Sequence, residues 1–195
     1  MTKRIFILGV SSLVAISAYA AQVETSKLKQ LADIKITAYN HQLRTTLQST
    51  IDLGTLKRSV KGCESIAQNM LVQNGTGGWD LERTSLKFRN PDNKPDAWEA
   101  NQLKQFQKAY DNGKPISQLS VERLTSVGPK KVVYKYMKAI EAEPVCLNCH
   151  GSNMLDTVNE NLALNYPNDK AIGYKAGDLM GAFVLKKSSA LDNFI

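Results

Sequence analysis

Cysteine and histidine are scarce in this chain, with three cysteines and two histidines among 195 residues, so the possible company of each can be weighed individually. Uninterrupted apolar runs are short. The most apolar stretch, from Ile5 to about Ile16, is broken by Ser11 and Ser12 and falls short of the roughly 20 residues a membrane-spanning helix needs. No basic stripe interleaved with aromatic residues is present, and the lysines are spread along the chain, which argues against nucleic-acid binding. No internal repeat, low-complexity tract or long linker divides the sequence, which excludes a solenoid and points to one domain with a core of its own. With 43% hydrophobic and 22% charged residues the composition is that of a globular protein.

The N-terminus "MTKRIFILGVSSLVAISAYAAQ" places Lys3 and Arg4 before the apolar stretch, and Ala18-Tyr19-Ala20 forms a small-x-small site before Ala21. This is the pattern of a secretory signal peptide. No cysteine stands near the cleavage site, so a lipid anchor there is not expected. The reading is a leader over 1–20, an N-terminal helix over 21–54 and the main domain over 55–195, exported to the periplasm with no membrane span in the mature chain. Loss of Lys3 and Arg4 lowers the net charge from +7 to +5, a moderately basic surface suited to solubility or to docking on an acidic redox partner.

Periodicity gives the elements. Leu28, Leu31, Ile34, Ala38 and Leu43 predict a helix over about 27–50. After Gly54, Leu56, Val60, Cys63, Ala67 and Met70 recur at steps of four and three, predicting a second helix with Cys63 facing inward. Thr84, Leu86 and Phe88 alternate with Ser85, Lys87 and Arg89, predicting a strand over 82–89 that stops at Pro91. Asp96, three residues before Glu99, is a capping start for a helix that ends near Gly113, with Trp98, Phe106 and Tyr110 inward. A hairpin is expected around Gly128-Pro129, from Leu119 and Val121 on one side and Val132, Tyr134 and Tyr136 on the other. A short helix from Met154 to about Tyr166 and a strand over 179–186 complete an α+β pattern.

Between the hairpin and that short helix lies "VCLNCHG", residues 145–151. Three readings compete for it. A redox-active disulfide of the thioredoxin kind would sit near a βαβ unit, and this motif follows a hairpin. A Cys₃His zinc site from Cys63, Cys146, Cys149 and His150 has an acceptable ligand set, but adjacent Cys149 and His150 make a relaxed tetrahedron hard to close. C-x-x-C-H is the signature of c-type haem attachment: two thiols form thioethers with the vinyl groups on one porphyrin edge, and the adjacent imidazole reaches the iron. Export agrees with the third reading, because such attachment takes place outside the cytoplasm. It makes Cys146 and Cys149 the anchors of one covalent haem c and His150 its proximal iron ligand. For the other axial position the candidates are Cys63, Met70, Met137, Met154, Met180 and His41. Methionine more often fills cores, and a lone cysteine is often buried and inert; on the residues alone, Cys63 and a methionine stand level.

The stretches "RTSLKFRNPDNKPDAWEA" (83–100), "CLNCHG" (146–151) and "NDKAIGYKAGDLMGAF" (168–183), with a cysteine on an earlier helix, resemble the PAS-like c-type haem family first described in cyanobacteria, which also supplies sensor modules to bacterial signalling proteins. The resemblance runs from about Leu56 to Phe183. It implies an antiparallel PAS-like sheet with N-terminal helices packed over a covalent haem, and His/Cys axial ligation with His150 proximal and Cys63 distal. Arg83 and Arg89 stand in the first stretch and either pair with haem propionates or make ordinary turn and surface pairs. With both axial positions filled, an enzyme is not expected. Two functions remain: a redox or gas sensor, in which Cys63 leaves the iron on reduction, and a periplasmic electron carrier without ligand exchange. The chain has no kinase, methyl-accepting or DNA-binding segment, so a sensor needs a separate signalling partner and a carrier a redox partner. A class I cytochrome c carries its motif near the N-terminus, whereas here about 45 residues follow it. A cytochrome c′-type bundle is opposed by the strand patterns.

Overall fold

The structure, a computed structural model, describes residues 10–53, 71 and 76–190, with side chains from residue 24 onward. Helix α1 spans Val10–Asp52. It contains neither glycine nor proline, so nothing in its interior breaks the ladder, and it runs about 65 Å at 1.5 Å per residue. It extends beyond the expected 27–50 span at its N-terminal side. The inward face also differs from expectation. Leu28, Ala32, Ile36, Tyr39 and Leu43 are buried, whereas Leu31 and Ile34 are 46% and 65% exposed. Steps of four, four, three and four keep the buried set on one stripe.

Four strands follow: β1 (Trp79–Thr84), β2 (Ser120–Ser126), β3 (Lys131–Glu141) and β4 (Leu179–Ala190). They form one antiparallel sheet in the order β1-β4-β3-β2. β2 and β3 are the expected hairpin, closed by Val127 N–H to the Lys131 carbonyl at 2.9 Å, with Gly128 at φ +147° in the turn. The first strand lies earlier than the 82–89 expected. At Ser85 the chain leaves the sheet, because the Ser85 N–H bonds the Asn93 carbonyl at 3.2 Å and its Oγ donates to the Met180 carbonyl at 2.6 Å. Asn90 then caps a 3₁₀ turn over Pro91–Asn93.

Each face of the sheet carries one helix. On one, Trp79, Leu81, Val132, Tyr134, Tyr136, Phe183 and Leu185 pack against the buried stripe of α1, with Tyr39 edge-on to Phe183 at 5.5 Å. On the other, Met137, Ala182 and Val184 meet Leu103 and Phe106 of helix α2 (Ala97–Asp111). The α2 start is the capping box read from the sequence, Asp96 and Glu99 each accepting the other's backbone N–H. Buried Lys135 on β3 binds both carboxylates at 2.6 Å, which ties the helix start to the sheet. The result is the α+β architecture that the sequence predicts. Among the described residues no helix is long and apolar enough to cross a membrane.

Candidate functional site

β3 ends at Glu141, and Ala142 is held by paired backbone bonds, its N–H to the Asp178 carbonyl and its carbonyl from the Gly177 N–H, both 2.8 Å. The chain then turns through Pro144–Cys146 and closes the single-turn helix α3, Leu147–His150. Because the turn is helical, Cys146, Cys149 and His150 occupy positions i, i+3 and i+4 and share one face. Both thiols are free and partly buried. Burial pushes both above the ordinary cysteine range, so they are thiols at neutral pH. Gly151 follows for a steric reason: a Cβ there would lie 2.7 Å from the Leu147 carbonyl oxygen, which accepts the Gly151 N–H at 3.0 Å.

The turn is fastened to residues 169–174, a segment before β4. His150 Nδ1 lies 2.7 Å from the Ala171 carbonyl oxygen. A carbonyl only accepts, so Nδ1 carries the proton and Nε2 keeps its lone pair. Burial and the nearby Arg89 charge push the His150 pKa down to about 4, so the ring is neutral and able to ligate at physiological pH. The Tyr174 N–H bonds the His150 carbonyl at 2.9 Å, the Gly173 N–H bonds that of Gly151 at 3.2 Å, and the Tyr174 ring stands edge-on to the imidazole at 6.4 Å. Tyr174 is braced in turn, with Lys87 Nζ 4.4 Å above its ring and its hydroxyl donating to the Met180 carbonyl at 3.3 Å.

Arg89 locks this arrangement. Its Nε bonds Asp169 Oδ2 at 2.8 Å, and its Nη2 reaches the Cys149 carbonyl at 2.5 Å and the Ala171 carbonyl at 3.4 Å. The ordinary pairing is therefore the one realised at Arg89, and its partners lie in two segments of chain, the turn and 169–174. Arg83 differs. Its Nε is buried without a hydrogen-bond partner among the described residues, and its charge is felt at both His150 and Tyr39.

The remaining candidates separate clearly. Met137 is fully buried on the α2 face of the sheet, Met154 packs beside Val158 and Leu162 on helix α4 (Asp156–Asn165), and Met180 packs against Ala142, Ala171 and Tyr174. His41 is exposed on α1. Cys63 and Met70, with the second helix expected for them, lie outside the described residues. Asp169, the Ala171 carbonyl, Lys87 and Tyr174 are contributors that residue-by-residue reading missed; all four lie in the two stretches, 83–100 and 168–183, quoted for the family resemblance.

Fold and site together define an α+β domain that presents a Cys-x-x-Cys-His turn, with its imidazole oriented by a backbone carbonyl, at one end of an antiparallel sheet. The chain belongs to the Tll0287-like family, whose model matches residues 15–188. Among solved structures it is similar to the cyanobacterial heme-protein Tll0287, at 22% identity and a TM-score of 0.57, over 83% of this chain and 92% of that one. No curated protein matches.

Proposed function

We propose that the chain is an exported monohaem c-type cytochrome that acts as a redox or gas sensor. The observation that carries the haem reading is the His150 Nδ1 bond to the Ala171 carbonyl, which leaves Nε2 as the available lone pair on the same face of the turn as two free thiols. A zinc site would not need that one-edge arrangement of two thiols beside an imidazole; a covalent porphyrin does. Cys146 and Cys149 would hold the group, His150 would ligate its iron, and Cys63 is the proposed second axial ligand. When bound, haem supplies a one-electron couple and an iron whose axial bond can exchange.

What favours sensing over simple electron carriage is the link from the site to α1. Arg44 on α1 pairs with Glu143 at 2.5 Å, and the Glu143 carbonyl accepts the Cys146 N–H at 2.9 Å. A shift of the turn is thus applied to α1, an element able to report it to a separate signalling partner. On this reading the protein binds and reports rather than turning over a substrate, and the leader-like N-terminus directs it to the periplasm.

The test is expression with a haem-maturation system. Colour should survive acid-acetone extraction, and the mass should equal the chain from Ala21 plus one haem. An apo mass with a disulfide or zinc refutes the assignment. In Cys63→Ala the haem should remain attached while the ferric spectrum changes and the potential rises, because thiolate stabilises ferric iron. If spectrum and potential stay unchanged and the ferrous wild type takes up no carbon monoxide, the electron-carrier role replaces the sensor.

A further inference from the structure

Along β1, Trp79 and Leu81 point into the core beneath α1, and strand alternation places Arg83 next on that same face. A guanidinium therefore occupies a position where the pattern asks for an apolar side chain. In the register Arg83 stands opposite Phe183, and Phe183 opposite Lys138; Phe183 in turn touches Tyr39 of α1. Three cations around this place each have a carboxylate. Arg44 has Glu143 at 2.5 Å, Arg89 has Asp169 at 2.8 Å and Lys138 has Asp33 at 2.6 Å. No carboxylate pairs with Arg83 among the described residues, and its buried Nε has no partner there. A buried N–H left without an acceptor is costly, and the half-buried Arg83 guanidinium is matched by a planar carboxylate that it can hold through two parallel N–H bonds.

We propose that Arg83 is the binding residue for a haem propionate, received on the α1 face of the sheet between Tyr39 and His150, and that Arg89 has no such role. The assignment rests on the haem reading above. Besides Arg83, the charged or titratable groups nearest this place are Tyr39 on α1, His150 on α3, the Arg89–Asp169 pair behind the turn, and Lys138 with Asp33 further along the row. Each of these has a partner within the fold, whereas no ion pair or hydrogen bond of the Arg83 side chain is made among the described residues.

The experiment compares the covalently loaded wild type with Arg83→Met and Arg83→Lys by spectroelectrochemistry across pH. Methionine suits the inward position and should fold. Its loss of a positive charge should lower the potential at neutral pH. The acid-side rise in potential, as the propionate protonates, should begin about one pH unit or more higher than in the wild type, the size expected for removing an adjacent opposite charge. Arg83→Lys keeps the charge and should lie near the wild type. A potential–pH curve for Arg83→Met that superimposes on the wild type overturns the assignment, and so does an equal shift in Arg83→Lys, which would mark a packing role. If Arg83→Met does not fold, infrared spectra of the wild type with isotopically labelled haem decide: complete loss of the ionised propionate band by about pH 5, both propionates then being protonated, overturns the pairing, and an ionised propionate that persists there supports it. A wild type that takes up no haem at all refutes the haem reading and this inference with it, whereas a loaded wild type with an unresponsive Arg83→Met refutes the inference alone.

Discussion

Replacing Arg89 by methionine should be the most damaging single change at the site that leaves every proposed ligand in place. The side chains of Arg89 and Asp169 are only 14% and 10% exposed, so their bond is little screened by salt. Removing one member of such a pair strands the other, at a cost of about 3–5 kcal/mol. Asp169 keeps one compensating bond, from the Ala171 N–H to Oδ1 at 2.8 Å, which favours the lower end. The Cys149 carbonyl loses a partner at 2.5 Å, adding about 1 kcal/mol. A total of about 4 kcal/mol is a large fraction of the 5–15 kcal/mol typical of a native domain and corresponds to a fall in Tm of roughly 8–16 °C at this size. Urea unfolding followed by Trp79 and Trp98 fluorescence measures it. Asp169→Asn should cost a comparable amount, and Arg89→Met with Asp169→Asn should cost clearly less than the two singles added, since the pair is lost only once. Hydrogen exchange should quicken at Gly173 and Tyr174, whose amides bond the motif, before it quickens in the sheet centre. A loss below about 1 kcal/mol for Arg89→Met, or strict additivity in the double variant, would refute the claim that this pair locks the turn.

Two further outcomes are expected. Gly181→Ala should destabilise by roughly 2–4 kcal/mol, because its φ is +157° and a Cβ would lie 2.3 Å from the Thr84 carbonyl oxygen; thermal unfolding no lower than the wild type's would count against that packing. The Asp96 carboxyl is raised by partial desolvation but lowered more by the Glu99 and Trp98 N–H groups and Lys135, so its folded pKa lies below the ordinary value. Its contribution to stability is therefore fully present above the unfolded value of about 3.9 and lost as pH falls through the folded one. Asp96→Asn keeps a capping oxygen while removing that titration, and should lose less stability than the wild type between about pH 5 and pH 2; equal losses in paired urea titrations would show that Asp96 does not set the acid limb.

Local rules explain which elements were legible in the sequence. The α2 start needs only Asp96 and Glu99 three residues apart, and the β2–β3 hairpin only a glycine turn between alternating runs. The same rules misplace β1. Alternation continues through Leu86 and Phe88, but the tertiary bonds of Ser85 to Asn93 and Met180 take the chain out of the sheet after Thr84. On α1 two stripes overlap, and the apolar one through Leu31 and Ile34 outscores the true face, which relies on Ala32 and on Tyr39. The sheet, not the helix, selects between them, since Tyr39 is the residue that meets Phe183.

The site divides along the same line, and the reason is chemical. Attachment of two thiols and an imidazole to one group fixes their separations along the chain, so C-x-x-C-H is legible wherever it stands. Orientation of the imidazole has no such local requirement. His150 takes its partner from Ala171, 21 residues on, and the arginine that secures both comes from 61 residues before it, at Arg89, through Asp169. Any carbonyl and any buried ion pair at the right place would serve, so no spacing announces them. The three stretches that carry the family resemblance, 83–100, 146–151 and 168–183, converge at this point: the first supplies Arg89, Lys87 and Arg83, the second the Cys-x-x-Cys-His turn, and the third Asp169, Ala171 and Tyr174. Two arginines six residues apart in the first stretch read alike in sequence, yet the fold gives one an aspartate and leaves the other half-buried, with a buried Nε that has no partner among the described residues. That difference is visible only when the sheet places Arg83 on the inward face beneath α1, which is why the partner proposed for it is the group the site would receive.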